Sequence, residues 1–240
     1  MITFIDTYEE RKREIEDFLE MMIFLEILER EKEDGISKFE KIFHLSENHI
    51  RLSYQSLINM HKSNISLMLY NIIEYTVSNL IISIYDEIER NELSYVDVND
   101  CIKKLWSETR LKVLNDPNAS FNTFLKTNNA IIQEILSNNV LTFNVKKTMS
   151  AGNLDGNSIK KTLNSHGIKL RTNSDNYRPE ILERIKNRRN ELAHGSVSFV
   201  DAAREQSISD IKNSKDIIIG FLDELIDTVS NFIEKEKFKN

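Results

Sequence analysis

A chain of 240 residues is long enough to bury a full hydrophobic core and need be no more than one domain. Two prolines and six glycines exclude a collagen-like or low-complexity protein, and a single cysteine, Cys101, excludes an internal disulfide and any cysteine-built zinc site. The net charge of −6 disfavours unselective binding to a polyanion, so any contact with nucleic acid has to be local.

Asp6, Glu9 and Glu10 interrupt the first apolar run, so no signal peptide is expected, and the lone cysteine fits a reducing cytoplasm. From Asp6 to Asp34 charge alternates with an apolar stripe at Ile15, Phe18, Met22, Leu25 and Leu28, which predicts an amphipathic helix ended by Gly35. Its partner is the rest of the chain or a second copy. This acidic arm, residues 1–45, carries Glu9, Glu10, Glu14, Glu16, Asp17, Glu20, Glu26 and Glu29; residues 46–240 read as the main helical domain of what is one compact unit.

Ser46 predicts the cap of a long helical region reaching Arg90, with a break near His61 to Asn64 and a core stripe of Ile65, Leu69, Ile73, Val77, Leu80, Ile84 and Ile88. Ser63 to Tyr85 is long enough to span a membrane, but Asn64, Asn71, Glu74 and Asn79 recur through it and would be costly in lipid, so a buried helix is expected. Glu74 is the only charged residue between Lys62 and Asp86, and a carboxylate in such a run needs a cationic or hydrogen-bonding partner. Tyr70, Glu74 and Ser78 share one polar line at intervals of four.

Ser94-x-x-Asp97 predicts the start of a helix running to Asn115, with Val98, Ile102, Leu105, Trp106 and Val113 apolar and Asp116-Pro117 closing it. Phe121 to Leu136 follow as another amphipathic segment. Both read as packing elements, with Trp106 in the core. Val140 to Asn157 break the pattern, with β-prone Val140, Thr142 and Val145 and turns at Gly152 and Gly156; a basic helix, Ser158 to Ser165, then ends at Gly167.

After a polar link, Thr172 to Asn176, comes the stretch in which chemistry concentrates. Pro179 suits a first helical position, Glu180 and Glu183 the positive N-terminus, and Gly195 a left-handed stop, which frames a helix of about four turns. Ile181, Ile185 and Leu192 make its apolar stripe; Arg184, Arg188, Arg189, Asn190 and His194 lie outside it. Between Ile159 and Asn190 nine basic residues face three acidic ones, a local charge of +6 in an acidic protein. That segment either receives an RNA or covers the acidic arm. Ser207-x-x-Asp210 opens the last helix, whose stripe is Ile211, Ile218, Leu222, Leu225, Val229 and Phe232.

His44, His49 and His61 lack the spacing of a metal pair, and no Gly-rich phosphate loop or nucleophile elbow occurs, so neither metal nor cofactor is expected. A lone His at a helix C-terminus has a structural reading, since its charged form suits the dipole there. The pattern Arg189-Asn190-Glu191-Leu192-Ala193-His194, an Arg-x4-His followed by Gly195, resembles the signature of the HEPN superfamily of helical ribonucleases. Gly152-Asn153-Leu154-Asp155 with Ile159 and Gly167, and the earlier Leu69-Tyr70-Asn71-Ile72-Ile73-Glu74, extend the likeness to the MAE-like prokaryotic branch over residues 50 to 235.

The resemblance implies an all-α, HEPN-like helical bundle with an additional N-terminal helix and an inserted loop-helix segment, working as a homodimer. It implies a metal-independent endoribonuclease, with Arg189, His194, Asn190 and Glu74 at the catalytic site; the basic segment then offers Lys160, Lys161, Arg184 and Arg188 as RNA contacts. Attack of a 2′-hydroxyl on the adjacent phosphate requires proton removal, proton donation to the leaving 5′-oxygen and stabilisation of extra negative charge. An imidazole and a planar guanidinium supply those functions. A toxin or phage-defence role is implied, with an antitoxin or defence-system partner protein. The alternative is a non-catalytic module that binds RNA, nucleotide or a partner protein through the same side chains.

Overall fold

The computed structural model describes residues 4–43, 53–111, 120–149 and 152–240. Among these the regular structure is α-helical, as the resemblance implies, apart from one two-stranded hairpin. It divides into two compact units, Ile5–Ile73 with Asp175–Phe221, and Met1–Phe4 with Glu74–Ser174 and Leu222–Asn240.

In the first of these units α1 (Ile5–Arg30) buries Tyr8, Ile15, Leu19, Met22, Leu25 and Leu28. Leu19, rather than the expected Phe18, takes the inner place; Phe18 is half-buried and stacks on His61 at 5.0 Å. The helix also stops earlier than its charge pattern predicts. Asp34-Gly35 is a two-residue hairpin loop with both φ angles positive (54° and 82°), joining β1 (Lys32–Glu33) to β2 (Ile36–Ser37) in the register Glu33↔Ile36. Asp-Gly suits a mirror-image turn better than a helix end, because both central residues must adopt left-handed backbone. The short α2 (Lys38–Phe43) follows, and Phe39 beneath it meets the ring of Tyr54 edge-on at 5.5 Å.

Ser46 lies outside the described residues, and α3 (Tyr54–Arg90) passes through His61 to Asn64 without the expected break. It is long and apolar enough to cross a membrane by length and composition. Its stripe Ile65, Leu69, Ile73, Val77, Leu80, Ile84 and Ile88 is nonetheless wholly buried inside the protein, as expected of a core helix. Residues up to Ile73 belong to the first unit, together with α8 (Pro179–Ala193), α9 (Phe199–Ala202) and the start of α10 (Ile208–Glu234). Ser63 Oγ donates to the Phe199 carbonyl at 2.7 Å, and Lys215 pairs with Glu16 on the acidic helix. The capping box at Ser207 and Asp210 forms as read, each residue accepting the other's backbone N–H.

The second unit holds α3 from Glu74, α4 (Asp100–Leu111), α5 (Phe121–Leu136), α6 (Val145–Thr148), α7 (Gly156–Ser165) and α10 from Leu222. The expected helix start at Ser94 is corrected to Asp100. Ser94 and Asp97 form a closed turn, and Asn99, whose own N–H is drawn to the Phe238 carbonyl, caps the helix by accepting from Ile102. Its end at Asn115 and the Asp116-Pro117 stop lie outside the described residues. Trp106 is fully buried, with the Arg110 guanidinium 3.8 Å from its ring centre, which agrees with a core role. The β-prone residues near Val140 form no strand. A helix α5 read as packing has no buried residue at all.

Candidate functional site

Local sequence sets the ends of α8. Pro179 occupies its first turn, where a missing N–H costs nothing, and Arg178 precedes it without a side-chain cap. At the other end the N–H of Gly195 (φ +68°) bonds the Leu192 carbonyl and that of Ser196 bonds the Glu191 carbonyl. This double closure needs a left-handed residue at position 195, and it makes His194 the last residue of helical conformation. Ile181, Leu182, Ile185 and Leu192 are buried, which turns Arg188, Arg189 and Asn190 to half-buried positions and leaves the His194 side chain exposed.

Arg189 is held from two directions. Its Nη1 donates to the Asn190 side-chain oxygen at 2.9 Å, and its guanidinium lies over the Tyr70 ring, 4.7 Å from the centre. Tyr70 is fully buried on α3 and so forms a fixed aromatic floor beneath the cation. The sequence puts Tyr70 on the polar line of its helix without assigning it this role; an aromatic ring on that line is the available signal. The ring of His194 makes no hydrogen bond among the described residues. Five residues of helix separate His194 from Arg189, about 7.5 Å of rise and roughly 140° of turn, so the two groups border one end of α8 without lying on one line.

Two further cations of the helix, Arg184 and Arg188, are engaged within their unit. Arg184 Nη2 donates to Ser214 Oγ at 2.9 Å and Arg188 Nη1 to Gln206 Oε1 at 2.7 Å. Burial lowers the pKa of Arg188 below its ordinary value, with the neighbouring Arg184 acting in the same direction and Glu191 and Glu205 against. Both arginines line a shallow groove of about 270 Å³ with Glu180, Glu183, Asn187 and Glu191, so carboxylates share the surface that was read as an RNA contact.

In the other unit Glu74 is half-buried and its Oε1 accepts the backbone N–H of Gly152 at 2.9 Å. The isolated carboxylate of α3 thus has a hydrogen-bonding partner of the kind its burial demands, and that partner lies in the Gly152-Asn153-Leu154-Asp155 stretch, which here leads into α7. Gly152 adopts φ +80°, and Asp155 caps α7 in a reciprocal box with Ser158. Lys160 and Lys161 are both exposed, and Lys161 lines a cavity of about 300 Å³ with Lys147, Glu108 and Ser158. Of the eight predicted site residues the described contacts join Arg189 directly to Asn190.

The fold and this helix define a helical protein that ends an Arg-x4-His helix on its histidine and anchors a glycine loop to a carboxylate of its long central helix. The chain belongs to the MAE_28990-like HEPN family, whose profile matches residues 3–238. No curated protein and no solved structure matches it.

Proposed function

We propose that this HEPN protein is a metal-independent endoribonuclease that cuts RNA by attack of a 2′-hydroxyl on the adjacent phosphate, leaving a 2′,3′-cyclic phosphate and a 5′-hydroxyl. The observation that carries the reading is an exposed His194 ring at the stop of α8, in the same helix end as an Arg189 guanidinium pre-set by Asn190 and the Tyr70 ring. A guanidinium oriented before substrate arrives stabilises phosphoryl charge without reorganising in the transition state. His194 moves the proton, as base toward the 2′-hydroxyl or as acid toward the leaving 5′-oxygen.

One imidazole cannot hold both protonation states at once, so the complete reaction calls for a second copy whose His194 and Arg189 share the cleft. A homodimer with a composite site follows, and an endoribonuclease of this kind fits a toxin or defence effector governed by a partner protein. Glu74 positions the glycine loop rather than touching RNA in this reading. The exposed Lys160 and Lys161 are stronger candidates for RNA contact than Arg184 and Arg188, which already have partners.

The test is incubation of purified protein with total RNA in EDTA, with His194→Ala and Arg189→Ala alongside. Cleavage in EDTA with cyclic-phosphate ends, lost in both variants, is the expected result. Cleavage surviving in both variants removes the site, and cleavage abolished by chelation removes the metal-free chemistry. RNA binding with no cleavage under any condition favours a non-catalytic module.

A further inference from the structure

Helix α5 is strongly amphipathic, yet none of its 16 residues is buried. Phe121 (72% exposed), Leu125 (41%), Ile132 (45%) and Leu136 (79%) run along its outer side, and at 100° per residue they fall within about 60° of arc. Phe124 borders them, its ring stacked on Phe121. The helix is held to α4 on another side, where Glu134 takes a bidentate bond from Arg110 at 3.0 and 2.7 Å. Among the described residues the outer stripe is therefore exposed on a helix that is anchored from behind. Its five side chains offer on the order of 500 Å² of apolar surface, at the upper end for a lone subunit.

The spacing points to what covers it. The stripe Phe121, Leu125, Ile132, Leu136 has intervals of four, seven and four, so it reads the same in either direction about a centre between Asn128 and Asn129. An antiparallel second copy places Phe121 opposite Leu136 and Leu125 opposite Ile132. A two-fold interface requires that self-complementarity, because each contact is made twice with roles exchanged. In this register Lys126 meets Ile131 and Glu134 meets Thr123, so no like charges oppose although each chain carries −6. Phe124 meets Gln133 in this register and lies beside the symmetric four; with it included, two such faces buried in full remove about 1,000 Å² from water, the threshold for specific association.

We propose that α5 is a homotypic docking helix, packing antiparallel on α5 of a second copy of this chain. This inference does not rest on the nuclease reading. The experiment is solution molar mass by light scattering from low to high micromolar concentration, for the wild type and for Leu125→Glu/Ile132→Glu, whose altered positions are exposed and whose fold is checked by circular dichroism. A twofold drop in mass on substitution, with the helical spectrum intact, is the expected result. An unchanged mass overturns the proposal, whether the wild type is monomeric or assembles elsewhere. A double variant that fails to fold overturns the premise that the stripe is free.

Register is read in a Cys101→Ser background with a short thiol cross-linker. Asn129→Cys joins two copies, whereas two copies of Phe121→Cys, about 22 Å apart along the paired helices, do not. Cross-linking at position 121 in place of 129 refutes the antiparallel arrangement. RNA cleavage measured on the same variants separates the two ideas: a mass that halves without any wild-type cleavage sinks the nuclease and leaves the docking helix standing.

Discussion

His166 lets acid sensitivity be worked out from contacts. The ring is completely buried; Nδ1 lies 2.7 Å from the Thr162 carbonyl, which can only accept, so Nδ1 carries the hydrogen and Nε2 accepts from the Tyr85 hydroxyl at 2.6 Å. Burial pushes this imidazole down from 6.5 to about 4, against the smaller opposing effect of the Thr162 bond. Because the folded value is the lower one, the unfolded chain binds the extra proton. The neutral ring's contribution is therefore complete above about pH 6.5 and is lost as pH falls toward 4, with a limiting slope of about 1.4 kcal/mol per pH unit and a total of roughly 3 kcal/mol. That is a substantial share of the ~5–15 kcal/mol typical of a folded domain. Urea unfolding of the wild type and His166→Gln at intervals from pH 7.5 to 4.5 measures it. Glutamine offers an N–H to Thr162 and an oxygen to Tyr85 but takes up no proton, and acid-range carboxylates such as Asp97 and Asp210 titrate in both proteins and cancel in the difference. The stability gap should move by about 2–3 kcal/mol in the variant's favour across that range. Parallel curves would refute the reasoning.

Gly195→Ala puts a Cβ into open space but on left-handed backbone (φ +68°), so it should cost about 1–2 kcal/mol and lower Tm by a few degrees, and an unchanged melting curve would mean that the helix stop relaxes freely. Tyr70→Leu removes the floor under Arg189 while Tyr70→Phe keeps the ring, so RNA cleavage should fall roughly fivefold or more in the first and much less in the second; equal loss in both assigns the effect to the hydroxyl. Glu74→Gln retains an oxygen able to accept from Gly152, so unfolding free energy should shift by less than about 1 kcal/mol and turnover should change little, whereas Glu74→Ala removes that acceptor and should lower turnover. A large stability loss with turnover per folded molecule unchanged makes the carboxylate purely structural.

What the sequence disclosed was governed by local rules. The frame of α8 follows from Pro179 and Gly195, the core face of α3 and α10 from their intervals of three, four and seven, and the start of α10 from Ser207 and Asp210. Local competition explains the errors. Gly35 signals a helix stop or a tight hairpin with equal force until Asp34 beside it is weighed, and Ser94, donating both its N–H and its hydroxyl to the Asp97 carboxylate, satisfies the Ser-x-x-Asp pair in an isolated turn with no helix following from it. The partners of Arg189 and Glu74 were beyond reach for a different reason: Tyr70 and Gly152 are distant in the chain, and only tertiary packing selects them.

Helix α5 shows where pattern and packing part company. Amphipathy states that an apolar face lowers free energy by leaving water, and says nothing of which surface receives it. The buried stripes of α3 and α10 are satisfied inside the subunit, whereas Phe121, Leu125, Ile132 and Leu136 stay exposed, although the sequence reads α5, like its neighbours, as a packing element. Symmetry distinguishes the α5 stripe. Its intervals reverse onto themselves, while those of α10, seven, four, three, four and three from Ile211 to Phe232, do not. A stripe that packs on unlike neighbours has no need to be palindromic, and one that meets its own copy about a two-fold axis does.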